Sequence, residues 1–121
     1  MRSRWGRPLR RGETGSVTAE FATVMPAVML VLAACLGAVQ VAGQHVRMTD
    51  AAASAARSLA RGDGVDAATA IARQSVGSVT LGSDHQGQFV CARLNAPSAF
   101  LPFAAAGLRL EASSCALAGV P

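Results

Sequence analysis

The sequence predicts an α+β chain in which one long N-terminal helix, membrane-spanning in its first half and kinked near Pro26, carries a small antiparallel β-hairpin or three-strand sheet on its second half. Three observations lead there. Residues Phe21–Gly43 carry no charge at all. The next stretch, Gln44–Arg61, is alanine-rich with polar residues confined to one helical stripe. Past Gly77 the apolar period changes from that of a helix to that of a strand.

Taken in order, residues 1–15 form a basic leader, with five arginines (Arg2, Arg4, Arg7, Arg10, Arg11) and the breakers Gly6, Pro8, Gly12 and Gly15. Residues 16–43 follow as the span. The uncharged run of 23 residues is enough to cross a ~30 Å hydrocarbon layer at ~1.5 Å per residue. A cleaved secretory signal has an apolar core of only ~7–15 residues, so the run reads as a span. Arginines on one flank follow the positive-inside rule, keeping the N-terminus cytoplasmic and the C-terminus extracytoplasmic.

Residues 44–62 continue the helix outside the membrane. Arg47, Asp50, Ser54, Arg57 and Arg61 fall at spacings of 3, 4, 3 and 4, and Met48, Ala52, Ala55 and Leu59 occupy another face. Arg47 and Asp50 stand close enough on the helix to pair. Gly62-Asp63-Gly64 ends it. Residues 63–121 then make a small extracytoplasmic domain. It holds a short helix near Asp66–Ser75 and strands at Ser78–Leu81, Gln88–Leu94 and Leu108–Ala116, with Gly82–Gly87 as the first turn. The connection Asn95–Gly107 is too apolar for a free loop and is expected to pack on the helix. Three short strands are marginal alone, so the helix must supply the other half of the core.

Charge distribution excludes some functions. Net charge is +4, but all of it lies in residues 1–15, and the remainder has six arginines against six acids. A body without a basic patch or interleaved aromatics does not read as a nucleic-acid binder. There is no lysine, which removes phosphate-loop and Schiff-base chemistry. No Ser/His/Asp set or carboxylate pair stands out, and a zinc site using His85 lacks a fourth ligand. The reading is therefore a non-enzyme with no cofactor, no metal and no small-molecule substrate.

What remains is the junction Gly15-Ser16-Val17-Thr18-Ala19-Glu20-Phe21. An acid costs ~2.5–3.5 kcal/mol at mid-bilayer and less near the interface, and a plain anchor has no use for Glu20. A cut after Gly15 removes the leader charge and frees an α-amine on Ser16, one helical turn from Glu20 on its own chain or a neighbour's. The bland reading of Glu20 is a helix N-terminal acid favoured by the macrodipole, worth ~0.3–1 kcal/mol. That account leaves Gly15 and the arginine switch unexplained.

These residues resemble the processing site of type IV pilin-like proteins. The pair Glu20-Phe21 with Pro26 soon after, and the stretch Asp50-Ala-Ala-Ala-Ser-Ala-Ala-Arg57, look most like TadE-like minor pilins or pseudopilins of tight-adherence (Tad/Flp) pili. The likeness covers about residues 10–62. It implies cleavage between Gly15 and Ser16 by a prepilin peptidase, with Glu20 and Phe21 setting register among neighbouring pilin or pseudopilin subunits. The other implied partners are the pilus assembly platform and membrane lipid. The implied location is the cell membrane, then the pilus or cell surface after assembly.

Other positions keep alternatives open. Leu32-Ala33-Ala34-Cys35 fits a lipoprotein box, although the apolar run continues for eight residues beyond Cys35. An uncleaved single-pass accessory protein is the further alternative. Pro26 removes a helix hydrogen bond and is expected to bend the span. Ala33 and Gly37, like Ala34 and Ala38, form small-xxx-small pairs that suit helix packing. Cys91 and Cys115 read as cross-strand partners, with free thiols or an intermolecular bond as alternatives, and pairing them sets Arg93 opposite Ser113 and near Glu111. Phe100, Leu101 and Phe103 pack on their own helix or meet another subunit.

Overall fold

The computed structural model describes residues 13–119; the arginines of the leader lie outside them. The element order is α1 (Glu13–Ala60), α2 (Val65–Val76), β1 (Thr80–Gln86), β2 (Phe89–Pro97), α3 (Leu101–Ala105) and β3 (Arg109–Leu117). The strands form one antiparallel sheet in the order β1-β2-β3. The expected α+β class is what the structure has. The chain divides into two compact units at Leu36/Gly37.

The first unit, among its described residues, consists of the N-terminal part of α1 with no second element. Its side chains from Val17 to Leu36 are accordingly exposed. α1 is already helical at Glu13, the first described residue and ahead of the expected start, and remains helical through Pro26. Proline has no N–H to donate to the carbonyl four residues back, which is that of Ala22.

The second unit is built on the rest of α1. Met48, Ala51 and Ala52 pack with Ala72 of α2, Leu94 and Ala96 of β2, and Ala112 of β3. Ala55 and Ala56 pack with Ala68 and Ala92. Alanine side chains end at Cβ, so this helix face lets the sheet and α2 come close while still removing carbon from water. The expected apolar face of Met48, Ala52 and Ala55 is buried, with Leu59 partly so. On the expected polar stripe Arg47, Asp50, Arg57 and Arg61 are exposed and Ser54 is half-buried. Arg47 and Asp50 lie on that exposed stripe without forming an ion pair.

α1 ends as its glycine suggests. Gly62 has φ +84°, Gly62 N–H donates to the Leu59 carbonyl and Asp63 N–H to the Ser58 carbonyl. These are the two backbone bonds of a Schellman stop. Asp63 then accepts from Ser58 Oγ at 3.0 Å and pairs with Arg61 at 3.1 Å, giving the buried Ser58 hydroxyl a partner.

All three strands differ in their bounds from expectation, β1 most of all. The segment Gly82–Gln86 belongs to β1, paired from Gly82↔Arg93 to Gln86↔Phe89. The turn is only Gly87-Gln88, with Gly87 at φ +62°, at a position where two-residue hairpins require positive φ. Gly, Ser, Asp and His look like turn residues because β1 is an edge strand with an exposed surface, so no apolar alternation marks it. The connection after β2 is not wholly irregular either: it contains α3, with Pro102 in the first turn, where a missing N–H costs nothing.

Leu94 is a large, fully buried side chain of the second unit. Leu94→Ala should lower its unfolding free energy by about 2–5 kcal/mol, measured by urea titration of the full chain in micelles followed by circular dichroism. A loss below about 1 kcal/mol would mean that the sheet does not rest on α1 in this way.

Candidate assembly site on the N-terminal helix

The residues singled out at the junction lie on one continuous helix. The Gly15–Ser16 bond lies in helical backbone near the N-terminal edge of the described residues. A Cβ built on Gly15 meets nothing within 4 Å, so that side of Gly15 is open within the described residues. Ser16 and Glu20 are four apart and share a helix face. Glu20 is exposed, and its backbone carbonyl accepts a hydrogen bond from Thr23 Oγ1 at 2.8 Å. Among the described residues no cation pairs with its carboxylate.

Phe21, Val24, Val28, Val31 and Leu32 follow as exposed apolar side chains. Ala33 and Ala34 are exposed, and so is Cys35, a free thiol. This stretch of helix thus presents a continuous apolar surface with one acid near its N-terminal edge.

Gly37, in the second unit, is engaged differently. It is buried, and a Cβ at its position would lie 2.9 Å from Phe100 Cε1. Its missing side chain therefore accommodates an aromatic ring of the same chain, which separates it from Ala33 as a helix-packing position. Phe103 meets Phe100 edge-on, centroids 4.9 Å apart, whereas Leu101 is exposed. The expectation that this apolar connection packs on its own helix holds for Phe100, not for Leu101.

Gln44 is a structural residue that the sequence reading does not single out. Its amide donates to the Pro97 carbonyl at 2.8 Å and accepts from Ala99 N–H at 2.6 Å. The available signal is spacing: Gly37, Gln44 and Ala51 recur every seven residues and so share a helix face.

On the outer face of the sheet Cys91 and Cys115 are register partners joined by a disulfide. Arg93 stands opposite Ser113 and pairs with Glu111 at 3.1 Å. Arg109 Nε donates to Asn95 Oδ1 at 2.7 Å. Both polar pairs are solvent-exposed and contribute tenths of a kcal/mol. Among the described residues no group of three His, Cys, Asp or Glu side chains gathers as a metal site would require.

Two comparisons with known proteins match the chain, one within α1 and one over a longer stretch. Residues 15–57 match the family described as TadE-like protein, a stretch that opens at Gly15 and closes at Arg57. A Mycobacterium tuberculosis (strain ATCC 25618 / H37Rv) protein, named Apoptosis inhibitor Rv3655c, is 42% identical over 84 residues. The alignment covers 69% of this chain and 66% of that relative, just under two thirds of its length. No solved structure matches the chain.

The disulfide closes a loop of 24 residues, for which chain-entropy arguments give about 3 kcal/mol. Reductant should lower the unfolding midpoint of the native chain to that of the Cys91→Ala/Cys115→Ala variant and leave the variant unchanged. Equal midpoints for the native chain with and without reductant would show the link to be energetically idle. The match over residues 15–57 is consistent with a TadE-like protein of Tad pilus systems.

Proposed function

We propose that this chain is a structural minor pilin or pseudopilin, cut after Gly15 and assembled into, or at the base of, a Tad-type pilus that serves adhesion or secretion. Before assembly it is a single-pass membrane protein, N-terminus cytoplasmic and C-terminus extracytoplasmic. The observation that carries the reading is the exposed apolar surface of α1 with an exposed Glu20 near its N-terminal edge, five residues after an open glycine.

Cleavage by a prepilin peptidase removes the arginine-rich leader, and with it the charge that holds the N-terminus at the cytoplasmic face. It also creates a protonated amine on Ser16. Among the described residues Glu20 pairs with no cation in the uncut chain; the cut supplies one, on its own helix or on a neighbouring subunit. Attraction between those charges is stronger beside lipid than in water, and desolvation makes an acid left without its partner costly. A subunit out of register by a turn would leave both charges alone. The apolar surface then exchanges lipid for neighbouring helices, with Phe21 and Ala33 among the side chains available for that contact. No step in this role requires a cofactor, a substrate or nucleic acid.

Mass spectrometry of the mature protein from its native host should find Ser16 at the N-terminus. An intact leader would favour the uncleaved accessory protein, and a lipidated Cys35 the lipoprotein. Glu20→Ala should insert into the membrane and be processed at normal levels, yet be lost from sheared pilus or assembly-complex fractions by at least about tenfold, which is ~1.4 kcal/mol. Unchanged incorporation would remove the register role from Glu20.

A further inference from the structure

The chain between β2 and β3 leaves the sheet, touches α1 at a point within its uncharged run, and returns. Ser98 N–H donates to the Leu108 carbonyl at 3.1 Å, closing the base of the excursion. Gln44, immediately after the uncharged run, holds the Pro97 and Ala99 backbone. Phe100 then reaches Gly37, seven residues and two helical turns earlier, or about 10 Å back along α1. Gly37 lies six residues before the end of the run at Gly43, and the first charged residue after it is Arg47.

Three features of the excursion suit hydrocarbon better than water. Residues 96–108 contain no charged side chain. Leu101, at the start of α3, is 81% exposed, and Leu108 is exposed as well. Most of the backbone is closed on itself: eight N–H groups between Ser98 and Leu108 have acceptors inside the protein, and Pro102 has no N–H. Satisfied backbone is the condition for a non-spanning segment to enter lipid, and a loop exposed to water has no need of it.

We propose that α3 and its flanks are a second membrane contact: the Phe100–Ala105 segment sits in the outer leaflet beside the end of the span, with Leu101 in the acyl region. The proposal rests on Phe21–Gly43 being a membrane span. It gives Gly37 a specific use, since a side chain there would push Phe100 away from the helix.

The test uses the full chain with Trp5, the sole tryptophan, replaced by Phe. It is reconstituted into phosphatidylethanolamine/phosphatidylglycerol vesicles with or without bromine on the lipid acyl chains. Three single-tryptophan variants are compared: Leu101→Trp, Leu30→Trp within the span, and His85→Trp on the exposed edge strand. The Leu101→Trp variant should emit to the blue of the His85→Trp variant, lose most of its emission to brominated lipid and resist aqueous acrylamide. Adding Gly37→Leu to Leu101→Trp should return its indole to acrylamide. Adding Gly37→Leu to Leu30→Trp should leave that indole bromine-quenched.

If Leu30→Trp is quenched by brominated lipid and Leu101→Trp only by acrylamide, the proposal is overturned and the span stands. Protection of the Leu101→Trp indole from both quenchers would mean that another copy of the chain covers it, which also overturns the lipid contact. If the Leu30→Trp indole itself escapes bromine, the span reading fails first, and the lipid contact falls with it.

Discussion

The constraint on which the rest of this structure depends is an apolar helical surface that water cannot cover without cost. Phe21–Gly43 holds no charge, and its side chains up to Leu36 are exposed. At ~25 cal/mol per Å² of apolar surface, a helix of that length in water carries a penalty comparable with the whole stability of a small domain. Lipid and neighbouring helices both remove it, and they are interchangeable covers because each is apolar. In the proposed role, that equivalence lets one sequence serve as an anchor first and as a packing element afterwards. In that role the Glu20 carboxylate breaks the equivalence: lipid offers it nothing, whereas a neighbour cut after Gly15 would offer a free terminal amine.

The same helix changes character at Gly37. From there its inward positions are Gly37, Val41, Gln44, Met48 and Ala51, at alternating spacings of four and three. Here the cover is intramolecular. Alanines let β2 and α2 approach α1 closely, so a sheet of three strands gains a helix-backed core that it could not have alone. The disulfide between β2 and β3 adds a covalent limit on the unfolded chain, useful in a small domain with few large side chains. Function and fold thus divide one helix between them.

The parts readable in the sequence are those governed by periodicity and by breakers. The uncharged run, the two faces of Gln44–Arg61, the stop at Gly62 and the Cys91–Cys115 register follow from residue spacing, because burial and backbone conformation act locally there. The second half of β1 escapes such a reading because an exposed edge strand has no packing to impose alternation, and Gly82-Ser83-Asp84 then reads as a turn by composition. The Gln44 clamp and the Phe100–Gly37 contact join residues more than fifty positions apart. Propensity carries no information about such pairs; only the folded path of the chain brings them together. In the candidate site, Gly15 and Glu20 are visible because a glycine and an acid are out of place at the border of an apolar helix. Which helix face meets a neighbour is a property of the assembly and leaves no such mark.

The free thiol of Cys35 offers the most direct measurement of whether the apolar run is sheltered. Cys91 and Cys115 are joined, so Cys35 is the thiol left to report. Thiols react as thiolates, which hydrocarbon suppresses. A membrane-impermeant maleimide applied to both faces of native membranes, and to assembled filaments, should leave Cys35 unmodified until detergent and denaturant are added. Rapid stoichiometric labelling of Cys35 in intact membranes would contradict the account, because the helix would then stand in water.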